Sequence, residues 1–155
     1  MTCQDNEILL NGVLIQMARS FLQYVAECSL WVAADAASDE AQVIVLAARQ
    51  RQDVADIAAL LDAREHYIDF GSFPTEYTDQ QFLALQSVMS GLKRSHASVC
   101  NRISTAVVSL RAAGDSEAAD LLTTVESHER DILRAMNEIA KTLATHSAAV
   151  VKFWC

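Results

Sequence analysis

Few residues in this chain combine a type and a spacing that could do chemistry. Glu27, Asp53, His96, Glu126 and Glu129 are carboxylates and one imidazole set on or beside apolar helical stripes. Several oxygen donors together with imidazole make the ligand set of octahedral iron or manganese. Inside a helical bundle, such a centre takes a carboxylate from each of two helices and Glu-x-x-His from each of the other two. The segments to compare with that pattern are Gln50-Arg51-Gln52-Asp53 and Glu126-Ser127-His128-Glu129. Gln50 stands where the first needs a carboxylate, Asp53 and Glu129 stand where each needs an imidazole, and Arg51 would repel a cation. The donor count falls short, so no metal and no cofactor is expected. Should iron or another transition metal bind, those five residues are the candidate ligands.

The same residues have plainer readings. His96, among Leu92, Val99 and Ile103, fits a core-edge histidine bonded to a carboxylate or a carbonyl. Gln50 and Arg51 interrupt an apolar stripe. They are a vestigial ligand position, part of a buried network with Glu129 or His96, or residues exposed by a slight helix rotation. Glu126 and Arg130, four apart, suit a surface ion pair. Cys28 and Cys100 fall on inward stripes, and no Gly-x-Ser-x-Gly, phosphate loop or dinucleotide fingerprint is present. The expectation is a protein that is not an enzyme.

Four helices would position these residues. The first spans roughly Asn6 to Ala34, with Leu10, Leu14, Met17, Phe21, Val25, Cys28 and Val32 at three- and four-residue steps. The second spans roughly Asp39 to Tyr67, with Ser38 as its N-cap. The third starts near Thr78, where Thr78-Asp79-Gln80-Gln81 fits a capping box, and carries Phe82 through Leu110. Gly114-Asp115-Ser116-Glu117 closes it and caps the fourth, which carries Leu122 to Leu143. Between the second and third lies Ile68 to Tyr77, with the only proline. Such a link reaches about 35–40 Å when extended, enough to run the length of a 27-residue helix of about 40 Å. It predicts a crossover that leaves the second and third helices parallel.

Composition bounds the rest. At 155 residues with 52% apolar and 21% charged side chains, the chain forms one domain, residues 1–155, and is not disordered. Four glycines and one proline are too few for the turns of an all-β fold. A net charge of −8 argues against a nucleic-acid partner. The acidic start, Met1 to Glu7, lacks the basic region of a signal peptide, and the uncharged run Ile8 to Ala18 is too short for a transmembrane segment. Four scattered cysteines read as reduced thiols. A cytoplasmic location is expected.

In helix order and in the position of the long link, the chain resembles the ferritin-like superfamily over most of its length. The resemblance implies an all-α four-helix bundle with a long crossover between helices two and three. More narrowly, Phe70-Gly71-Ser72-Phe73-Pro74-Thr75-Glu76-Tyr77-Thr78 followed by Phe82-Leu83-Ala84-Leu85 is similar to the crossover of uncharacterised bacterial ferritin-like proteins that lack the iron ligands. That likeness implies the fold and no activity.

The first helix carries the functional expectation. Beyond its inward stripe it shows Leu9, Val13, Ile15, Leu22, Leu30 and Trp31, apolar over more than half its circumference. Those six residues predict an interface, with a second copy as homodimer or with a protein partner. The leading function is then a non-catalytic oligomerising or protein-interaction unit. The alternatives are a degenerate metal-binding protein of the di-iron type and a binder of a small apolar ligand between helices one and two.

Overall fold

The computed structural model describes residues 3–28, 30, 32–80 and 83–152, and among these it is all-helical. Five helices follow one another: α1 (Cys3–Ala18), α2 (Phe21–Glu27), α3 (Ala37–Ala63), α4 (Leu85–Ala112) and α5 (Ser116–Lys152). Short 3₁₀ turns occupy Ala34–Ala36 and Thr75–Gln80.

The first helix expected over 6–34 is broken into two. Ser20 adopts an extended conformation, φ −67° and ψ 160°. Its Oγ accepts from the Gln23 amide at 3.4 Å and donates to Gln50 Oε1 at 2.7 Å. A serine offered both bonds caps a new helix and does not extend the old one. By length and apolarity alone Gln4–Glu27 would suffice to cross a membrane, yet 61% of its most apolar stretch is buried within the chain. α3 begins at Ala37 with no capping side chain, so Ser38 is not its N-cap. It ends at Ala63 and not at Tyr67, because His66 N–H bonds Leu61 O and Glu65 N–H bonds Asp62 O, with Glu65 at φ +55°. That pair of bonds is a Schellman closure, here without glycine. Thr78 does not open the next helix either. Its hydroxyl donates to Thr75 O within the 3₁₀ turn, and α4 starts at Leu85. Phe82 lies outside the described residues.

Side-chain pairs along the helices fix their directions. Asp39 faces His146, Gln50 faces Glu129, and Arg64 meets Asp115 and Glu117, so α3 and α5 are antiparallel. The turn at Gly114 (φ +77°) folds α4 back antiparallel on α5. α3 and α4 therefore run the same way, so the start of α4 lies at the opposite end of the molecule from the end of α3. α1 and α2 lie antiparallel to α3, through Gln23 on Ala47 and Gln50 at one level and Glu7 near Arg64 at another. Arg64 forks onto Asp115 at 2.7 and 2.9 Å, and that guanidinium holds the Asp115 carboxyl below its usual range. Asp115 Oδ1 also accepts from the Ala118 amide at 3.1 Å and so caps α5.

The apolar core is in two parts. One holds Phe21, Leu22, Val25, Leu46, Met89, Leu92, Ile132 and Met136, and the other Leu10, Leu14, Met17, Ile57, Leu61, Ile103, Leu110 and Leu122. Several residues of the interface expected on the first helix are covered within the chain itself. Val13, Leu22 and Leu30 are core residues with 0%, 1% and 7% of their surface exposed. Leu9 packs on the second cluster, and Ile15 lies beneath the crossover at Gly71. Trp31 lies outside the described residues. α3, α4 and the crossover pack on this helix from different sides, while Ile8 on it stays 57% exposed.

Crossover aromatics complete that cover. Tyr77 packs on Phe21 and Tyr24 with ring centroids 4.9 and 5.4 Å apart, and Phe73 meets Tyr24 edge-on at 5.5 Å. Gly71 makes the close approach possible. It sits at φ +63°, and a Cβ there would stand 2.6 Å from Ile15 Cγ2, whereas a Cβ at Gly114 would meet nothing within 4 Å. Gly114→Ala should thus cost only the left-handed backbone penalty, about 1 kcal/mol. Gly71→Ala adds overpacking and should cost about 2–4 kcal/mol. Urea unfolding of both variants checks the order. Equal costs would mean that the crossover does not press on α1.

Candidate functional site

Between the two apolar clusters, each long helix contributes polar side chains to one buried layer. Gln50 and Asp53 come from α3, His96 from α4, Glu129 from α5, Gln23 from α2 and Ser20 from the break before it. Gln50 is the hub. Its Oε1 accepts from Ser20 Oγ at 2.7 Å and Gln23 Nε2 at 2.9 Å, and its Nε2 donates to Glu129 Oε2 at 2.8 Å. His96 Nε2 lies 3.0 Å from Glu129 O and 3.2 Å from Glu129 Oε2. Since a carbonyl can only accept, Nε2 carries the ring proton. His128, half-buried, reaches over from α5 to place Nδ1 2.8 Å from Asp53 Oδ1.

Protonation follows from this geometry. Burial pushes Glu129 up to about 8, with the Gln50 bond and nearby Asp53 as smaller influences of opposite sign. Burial also raises Asp53, opposed by its bond to His128. The two carboxyls interact directly. Asp53 Oδ2 and Glu129 Oε1 receive no donor from any other group. Two carboxylates cannot hydrogen-bond to each other, whereas a carboxylic acid and a carboxylate can. Glu129 therefore holds a proton at neutral pH and shares it with Asp53. His96 is pushed down to about 4 by burial and is neutral. Glu129 itself is fully buried, whereas His128 at the edge of the layer is partly exposed.

Of the five candidate metal ligands, the structure brings together Asp53, His96 and Glu129 and leaves two out. Glu27 is exposed on α2, and Glu126 pairs with Arg130 at 2.7 Å on the surface. The three that converge do not fit a di-iron centre. His96 spends Nε2 on Glu129, Gln50 occupies Glu129 Oε2, and His128 occupies Asp53 Oδ1. Among the described residues no group of three His, Cys, Asp or Glu side chains is placed to hold a metal ion. Cys100 is an inert thiol, pushed up to about 11 by burial and then by Glu129.

A second feature lies beside the layer. α1 and α2, α3 and the crossover enclose an open groove of about 600 Å³. Its walls are Ala18, Val54, Ala55, Ala58, Ala59, Ile68 and Phe70, and Arg19, Gln23, Glu27, Arg51 and Asp62 supply its polar groups. Arg51 Nη1 donates to Gln23 Oε1 at 3.1 Å, so the groove is joined through Gln23 and Gln50 to Glu129. The sequence reading missed Ser20, Gln23 and Arg19. The signal was present as polar interruptions in an apolar run, Arg19-Ser20 and Gln23 between Ala18 and Tyr24.

The protonation argument carries a pH dependence. Glu129 keeps its proton in the folded chain up to about 8 but loses it near 4.5 when unfolded, so its contribution to stability falls as pH rises between those values. His96 works with the opposite sign below its ordinary 6.5, since there only the unfolded chain takes up the proton. From about pH 6.5 to 8, stability should fall by about 1–2 kcal/mol. Glu129→Gln, neutral at every pH, should flatten the slope in equilibrium urea unfolding. A variant that keeps the wild-type slope would assign the titration to another group. In comparison with known proteins, no family model matches this chain, and neither does any curated protein or solved structure.

Proposed function

We propose that the protein is a non-catalytic, ferritin-like four-helix scaffold that binds a small, largely apolar molecule in the groove between α1–α2 and α3. The directions of the helices and the long return between α3 and α4 support the scaffold: α1 with α2, α3, α4 and α5 run up, down, down and up. The groove carries the function. Its volume, about 600 Å³, lies within the usual range for small-molecule sites, and its mixture of apolar walls and a few fixed polar groups is the usual lining. Val13, Leu22 and Leu30 are buried within the chain, which favours the groove over that face of the first helix as the binding surface. Against a catalytic role for the buried layer, Glu129 and His96 are sealed in the core and Cys100 is an un-ionised buried thiol.

Straight-chain alcohols test this without involving charge. Affinity should rise about fourfold for each methylene added from octanol to dodecanol, the increment for moving one CH₂ out of water. Ala59, exposed in the groove wall, can be enlarged without entering the core. Ala59→Trp should abolish binding measured by calorimetry while the thermal unfolding midpoint stays near wild type. Absence of binding, or binding indifferent to Ala59→Trp, would end this reading.

A further inference from the structure

Two guanidinium groups face the groove, and the fold holds both in place with neutral partners. Arg19 Nε donates to the carbonyls of Phe70 and Gly71, each at 3.1 Å, and its guanidinium lies 5.0 Å over the Phe73 ring. Arg51 is fixed by Gln23 Oε1, and Gln23 cannot turn away because its amide nitrogen is bonded to Ala47 O at 2.8 Å and to Gln50. Among the described residues neither arginine forms an ion pair, although the chain carries a net charge of −8; Arg64 and Arg130, by contrast, meet carboxylates. Each guanidinium has five N–H donors in a fixed fork, and the bonds just named use only one nitrogen of each. Both guanidiniums line the groove, whose walls are largely alkyl and aromatic. Such a fork matches a carboxylate in shape and charge.

We propose that the groove takes an aliphatic monocarboxylate, with its carboxylate on Arg51 and Arg19 and its tail along Ala55, Ala58, Ile68 and Phe70. This rests on the groove reading above and adds the headgroup to it. Glu27 and Asp62, both exposed, stand on the rim. They oppose the anion, so one carboxylate is accommodated and a dianion is not.

The test compares dodecanoate, dodecanol and dodecylamine at neutral pH by calorimetry. Dodecanoate should bind about tenfold or more tighter than dodecanol, the usual gain of a charge-assisted fork. Arg51→Gln should bring dodecanoate down to the level of dodecanol and leave dodecanol unchanged, which a merely unfolded variant would not do. Glu27→Gln should tighten dodecanoate alone. Equal binding of the acid and the alcohol would overturn the carboxylate while the groove reading stands. Preference for the amine would overturn it too, because the rim acids would then select the headgroup. If none of the three binds, both readings fail together.

Discussion

A carboxyl group without access to water sits where the four long helical segments pass one another, and the interior is organised around keeping it satisfied. Glu129 would be too costly to bury as an unpaired anion. It is kept by a donor from Gln50, a donor from His96 and a proton shared with Asp53. Those partners come from α3 and α4, and the two on α3 are themselves held: Gln50 by Ser20 and Gln23, and Asp53 by His128. The break at Ser20 belongs to the same requirement. A continuous helix would leave Gln50 Oε1 without one of its two donors, and a buried acceptor without a partner costs about 1–3 kcal/mol.

The groove depends on this layer. Its outer polar group, Arg51, is oriented by Gln23, which is oriented in turn by Gln50 and by the backbone of α3. The crossover that forms its far wall is fastened by Arg19 at the helix break and by the packing of Gly71 on Ile15. A single serine thus allows α1 to end, frees Arg19 to reach the crossover and contributes to the buried layer. Site and core share their hydrogen bonds, so the donors facing the groove are already positioned before anything enters.

The helices and their directions were legible in the sequence because apolar periodicity and connection length are local signals. Gly114 and Asp115 were also readable as stop and cap. The breaks at Ser20, Ala63 and Leu85 were not. Ser20 caps α2 and also donates to Gln50, thirty residues away, a contact that no local pattern announces. α3 ends on Glu65, a left-handed residue that no glycine announces. The cover over α1 was hidden for a related reason. The apolar circumference of α1 was visible, but what covers it, a crossover folded over Ile15, is set by tertiary packing. The possible network of Gln50, Arg51, His96 and Glu129 was in view as one alternative. The structure keeps three of them inside and turns Arg51 to the groove, a distinction that depends on helix rotation by a fraction of a turn.

The polar layer has one more consequence, for the register of the helices. α4 and α5 are long, with apolar residues recurring so regularly that sliding one past the other by a turn, about 5.4 Å, would still pair Leu, Ile, Val and Met with one another. Apolar contacts alone would discriminate poorly between such alignments. A slip would carry Glu129 away from His96 and Gln50 and set it against Leu92, Val99 or Val54, leaving buried polar groups unpaired on every helix involved. The layer acts as a single tooth in an otherwise smooth ratchet: it contributes little net stability and makes the neighbouring alignments costly.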